Sequence, residues 1–124
     1  MSGRILLVED DGALREALIE VLAEMGYEVV SAPDGLEGLS VAAEQPEPCP
    51  ILLDWRMPVL DGPAFLAQLR QLPRGRDFPV ILASGDPAAT RAEVGEEVTA
   101  VLPKPFDLDA LIAVLERVAP ARSP

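Results

Sequence analysis

Five apolar runs, RILLV (4–8), YEVVS (27–31), PILLD (50–54), PVILAS (79–84) and TAVLP (99–103), recur along the 124-residue chain with amphipathic stretches between them. This alternation constrains the fold more than any other feature. The third and fourth runs are continuously apolar, as strands covered on both faces are. Between the first two, Leu14, Ala17, Leu18, Val21, Leu22 and Met25 fall at helical spacing and Gly26 supplies a stop. Asp34 and Glu37 stand at capping-box spacing ahead of a second helix. Asp61-Gly62-Pro63 opens a third that ends near Leu72, and Leu108, Leu111, Ile112, Leu115 and Val118 form a last one behind an Asp107 cap. Strands alternating with helices predict an α/β fold, a parallel sheet wound on both faces with right-handed crossovers. The segment between the fourth and fifth strands is the weak one, interrupted by Gly85, Pro87 and Gly95.

Composition narrows the function. The net charge is −11, from 10 Lys and Arg against 21 Asp and Glu. This disfavours a general surface for nucleic acid or anionic membrane, so neither is expected as a partner. There is no histidine, which excludes a His-triad hydrolase, a histidine kinase and a His-ligated metal centre. One cysteine, Cys49, cannot form an intramolecular disulfide and fits a reducing compartment. RILLV is far shorter than a membrane span and runs straight into Glu9-Asp10-Asp11, so a cytoplasmic location is expected.

In such a sheet, functional groups collect beyond the carboxyl ends of the strands. Here the first strand ends in Glu9-Asp10-Asp11, the third in Asp54 and the fourth in Ser84, while the fifth runs into Lys104-Pro105. Each has an ordinary explanation alone: Asp11 as a helix cap, Glu9 and Asp10 as a solvated loop, Asp54 or Ser84 as turn chemistry, Lys104 as a surface lysine. Their joint placement at one edge is not explained that way. Converging carboxylates repel, and a hard divalent cation with oxygen ligands relieves the repulsion; Mg2+ suits a few carboxylates plus a phosphate oxygen. Lys104 offers a compact positive charge to a phosphoryl oxygen. Asp54, ionised near neutral pH, can then attack phosphorus without a general base.

With LLVEDD, LLDWRMPVLDG, ILASG and LPKPF in this order, residues 4 to about 118 resemble the receiver domain of two-component response regulators. The resemblance implies a flavodoxin-like five-stranded sheet in the order 2-1-3-4-5, an order the residues alone do not yield. It implies Asp54 as phosphoacceptor, Glu9 and Asp10 as the acidic pair with Asp10 the more direct metal ligand, and the Arg56 carbonyl completing the Mg2+ shell. Ser84 matches the hydroxyl that meets the phosphoryl group. Lys104 matches the pocket lysine, with a cis bond to Pro105. A sensor histidine kinase or a phosphotransfer protein would supply the phosphoryl group, and a downstream protein, not identifiable from the residues, would read the result. Residues 1–119 would be the receiver, and 120–124 a tail or linker stub.

Three departures from the family pattern carry expectations. Val101 stands where an aromatic switch residue is common, so activation is expected without an aromatic relay, with the Gly85-Asp86-Pro87 loop moving instead. The stretch from Ser84 to Lys104 is slightly short, so its helix is expected to be small or irregular. Arg56 and Asp86, each two residues beyond a pocket residue, are expected to pair over the pocket mouth. Two competing readings are a pseudo-receiver that is never phosphorylated and a Mg2+-dependent aspartyl-phosphate phosphohydrolase. The full pocket set speaks against the first. The second generally needs an acid two residues after the nucleophile, where this chain has Arg56, so a signalling module and not an enzyme is the expectation.

Overall fold

A computed structural model describes residues 3–57, 59–95, 98–105 and 107–118. The expected tail at 120–124 lies outside them. Strands β1 (Arg4–Val8), β2 (Glu28–Ala32), β3 (Ile51–Asp54), β4 (Val80–Ser84) and β5 (Ala100–Pro103) form one parallel sheet in the order β2-β1-β3-β4-β5. Helices α1 (Gly12–Glu24), α2 (Gly35–Glu44), α3 (Gly62–Leu69), α4 (Pro87–Val94) and α5 (Leu108–Val118) alternate with the strands. Both the fold class and the strand order agree with the sequence reading.

Strand periodicity divides the core in two. Ile5, Leu7, Leu52, Ile81 and Leu102 pack against Leu18 and Leu22 of α1 and Leu111 and Leu115 of α5. The alternate residues Leu6, Val8, Leu53 and Leu82 pack with Phe65 and Leu69 of α3 and with Val94 of α4. The central strands β1, β3 and β4 are covered on both sides, which is why they read as unbroken apolar runs. Among the described residues, no helix is long and apolar enough to cross a membrane.

Four aspartates start helices as caps, each accepting a backbone N–H from the residue three further on: Asp11 from Leu14, Asp34 from Glu37, Asp61 from Ala64 and Asp86 from Ala89. Asp107 accepts from Asp109 ahead of α5. The third helix ends at Leu69, earlier than its pattern suggests, because the chain tightens there. The N–H groups of Gln71 and Leu72 bond three residues back, to Gln68 and Leu69, and a 3-10 turn follows at Gly75–Asp77. The weak segment does hold a helix. It is short, as expected, but regular, with Asp86 capping its start and Gly95, at φ +60°, closing its end.

Candidate phosphoacceptor site

Where β3 leaves the sheet, Asp54 is level with Ala83 of β4, and its main-chain neighbour Trp55 donates its N–H to the Ala83 carbonyl. The sheet thus holds the backbone of Asp54 rigidly, and its carboxylate is only 5% exposed. The opening of α1 supplies the neighbours. Glu9, 2% exposed, follows the last residue of β1, and its side chain accepts the N–H of Asp11 at 3.2 Å. Arg15 of α1 donates to the Glu9 carbonyl at 2.8 Å and fixes the turn. Glu9, Asp10 and Asp54 each place a carboxylate oxygen within 4.8 Å of the others.

Lys104 enters from the end of β5, its N–H bonded to the Ser84 carbonyl and its peptide bond to Pro105 cis. Its ammonium lies 3.3 Å from Asp54 Oδ1 and 3.8 Å from Glu9 Oε1. Among the described residues Lys104 is the one cation paired with these carboxylates, with Glu9 and Asp54, which leaves the three-acid cluster under-compensated. Burial pushes the Glu9 carboxyl up to about 7, against the pull of the Asp11 N–H and with the charge of Asp54 adding to the rise. Burial also raises Asp54, and Lys104 opposes the rise. The donor set therefore suits a hard divalent cation. All three side chains offer oxygens, they converge, and their ionised forms lack enough positive charge.

Asp54, Arg56, Ser84, Asp86, Thr90 and Lys104 line a cleft of about 340 Å³ together with neighbouring residues. The Arg56 N–H reaches Asp54 Oδ1 at 3.3 Å. Ser84, 4% exposed, accepts the Asp86 N–H at 3.0 Å and shares a 2.6 Å hydrogen bond with the hydroxyl of Thr90. Glu9, Asp10, Asp54, Arg56, Ser84, Asp86 and Lys104 thus border one region, while Val101 packs with the core. One expectation needs changing. Among the described residues Arg56 and Asp86 form no ion pair; one Asp86 oxygen is committed to the α4 cap, which holds the carboxylate at the helix end. Thr90 was not foreseen. Trp55 and Met57, which follow Asp54 in LLDWRMPVLDG, are buried, with the indole of Trp55 lying over Gly62.

A parallel sheet in the order 2-1-3-4-5, with an acidic cluster and a lysine at its carboxyl edge, is the flavodoxin-like α/β architecture. The family model for the response regulator receiver domain matches residues 5–116, and the chain belongs to that family. It is 38% identical over 130 residues to the response regulator MprA of Mycobacterium sp. (strain KMS), a match covering all of this chain and 55% of that protein. Against MprA of Mycobacterium bovis (strain BCG / Pasteur 1173P2) the identity is 40% over 115 residues, covering 91% of this chain and 49% of the relative. The chain thus spans about half the length of these curated relatives. Among solved structures it is similar to the receiver domain of the sensor histidine kinase PA1611 from Pseudomonas aeruginosa PAO1. That match has a TM-score of 0.83 and 30% identity over 94% of this chain and 97% of that one. The PA1611 structure has a magnesium ion coordinated in its active site cleft. The Vibrio cholerae chemotaxis protein CheY4 matches with a TM-score of 0.81 and 30% identity, covering 95% of this chain and 99% of that one.

Proposed function

We propose that this receiver domain takes up a phosphoryl group on Asp54 from a sensor histidine kinase or a phosphotransfer protein and signals the event to a downstream protein. The observation that carries this reading is the buried Asp54 carboxylate, 3.3 Å from Lys104 and among two further acids. A carboxylate oxygen of Asp54 attacks phosphorus and forms a P–O bond. The P–N bond of the donor phosphohistidine breaks, and its electron pair leaves with the imidazole nitrogen. No general base is required, because an ionised carboxylate attacks through its own lone pair; Lys104 opposes the rise that burial imposes on Asp54.

Glu9, Asp10, Asp54 and the Arg56 carbonyl would hold Mg2+, which would supply charge compensation for the phosphoryl oxygens. Lys104 reaches across the cleft and, once Asp54 carries the phosphoryl group as an acyl phosphate, is free to pair with a phosphoryl oxygen. Ser84 offers its hydroxyl to another. The negative balance of the chain favours protein partners over nucleic acid or anionic membrane for this domain, and the reading places it in the cytoplasm.

Incubation with acetyl phosphate and Mg2+, followed by intact-mass measurement, tests the reading. One phosphoryl group should be added to the native chain, with none added to Asp54→Asn or in excess chelator. Equal labelling in all three would refute it.

A further inference from the structure

We propose that Thr90 is the positioning residue that couples the phosphoryl pocket to α4, doing through a hydroxyl pair what an aromatic side chain on β5 does elsewhere. The inference rests on the phosphoacceptor reading above and concerns how that site is read out.

The Ser84 hydroxyl is the junction of the cleft. It accepts the N–H of Asp86, the residue that caps α4, and bonds to Thr90 Oγ1 at 2.6 Å, both hydroxyls being buried. This pair draws α4 toward the end of β4. The helix has few other anchors: of its eight residues only Thr90 and Val94 are buried. Val101, the β5 residue level with Leu82, is a stiff β-branched side chain packed beside the α3 and α4 face, with no ring to swing.

A phosphoryl group on Asp54 would bring strong acceptor oxygens into the same cleft as Ser84. In this relay Ser84 is the donor to Thr90, and its one proton cannot serve two acceptors. A charge-assisted hydrogen bond to a phosphoryl oxygen outcompetes the neutral one, so Ser84 turns away from Thr90. Thr90 is then a buried hydroxyl without a partner, a state that structures avoid. It regains one by rotating to bond back to the Asp86 carbonyl, a local bond that bends helices, or by carrying the first turn of α4 outward to water. Asp86, losing the acceptor for its N–H, moves with it. The signal thus passes from Asp54 through Ser84 and Thr90 into α4, and β5 takes little part.

Because the Ser84–Thr90 bond exists only before loading, it opposes loading. Removing the Thr90 hydroxyl should therefore tighten phosphoryl binding while weakening the helix response. A merely structural loss would weaken both.

The test compares the full chain with Thr90→Val, Thr90→Ser and Asp54→Asn, using beryllofluoride with Mg2+ as a phosphoryl mimic and backbone amide shifts as the readout. In the native chain, loading should shift Lys104 and the 84–95 segment together. In Thr90→Val the pocket amides should still respond, at a beryllofluoride concentration about three- to tenfold lower, the factor that one hydrogen bond contributes. The α4 shifts should fall to less than half. Thr90→Ser should behave like the native chain. An undiminished α4 response in Thr90→Val, or weaker binding alongside it, overturns the relay and leaves the phosphoacceptor reading standing. Loss of all pocket response in the native chain, or a response that persists in Asp54→Asn, overturns the phosphoacceptor reading and the relay with it.

Discussion

The Lys104 ammonium stands 3.3 Å from Asp54 Oδ1, closer than to Glu9 at 3.8 Å, so it is directed first at the residue proposed to carry the phosphoryl group. Replacing it by Lys104→Met should slow phosphorylation by acetyl phosphate on the order of a hundredfold, the usual effect of removing one charge-stabilising donor. It should also destabilise the metal-free protein by about 1–2 kcal/mol, less than for a fully buried pair because Lys104 is 28% exposed. Stopped-time mass spectra and urea unfolding check the two effects separately.

Glu9 gives the metal-free protein a pH dependence. Its folded-state value is raised to about 7 from an unfolded value near 4.5, so folding favours its protonated form. The resulting stabilisation is present below about 4.5 and is lost as pH rises through 7. Metal-free Tm should therefore decline across that window, and the decline should be smaller in Glu9→Gln. A divalent cation favours the ionised form, so added Mg2+ should raise Tm more at pH 8 than at pH 5. Thermal scans in chelator and in Mg2+ at both pH values measure this; equal Mg2+ shifts would contradict it.

Asp86 acts through the helix it caps. Asp86→Ala should cost about 1 kcal/mol in urea unfolding, and Asp86→Asn, which keeps the capping oxygen, only a few tenths. Arg56→Ala, which removes an exposed side chain at the cleft with no ion pair among the described residues, should leave stability within about 0.5 kcal/mol.

Gly62 has no room for a side chain, since a methyl group there would overlap the Trp55 indole. Gly62→Ala should destabilise the fold by about 1–3 kcal/mol through overpacking. Because the displaced ring belongs to the residue after Asp54, the emission of this single tryptophan should shift as well. Urea unfolding followed by fluorescence gives both quantities.

Much of this arrangement is legible in the residue order. Apolar runs mark all five strands to within one residue. In β1, β3 and β4 burial on both faces leaves almost no polar position to blur them, while β2 and β5 are partly exposed and are marked by their shorter apolar stretches. Asp11, Asp34, Asp61 and Asp107 announce their helices, since capping is a local interaction. The edge chemistry follows from strand ends alone. Other features are long-range or conformational. The role of Thr90 depends on a tertiary contact with Ser84, and α4 has too few large apolar residues for a period to stand out. The 3-10 turn at Gly75–Asp77 follows Arg74 at φ +61°, a conformation its residue type does not suggest. The Arg56–Asp86 pair does not form among the described residues: the cap on Ala89 holds the Asp86 carboxylate at the start of α4, an arrangement that residue order does not show.

The most direct test of the phosphoacceptor claim is to locate the modification itself. The phosphorylated chain would be reduced with borohydride, which converts an aspartyl phosphate to homoserine, and the peptides sequenced by mass spectrometry. Conversion at Asp54, dependent on Mg2+ and absent without the phosphoryl donor, is the predicted result. Conversion at another carboxylate, or a native chain that remains unmodified while an authentic receiver is labelled under the same conditions, would contradict it.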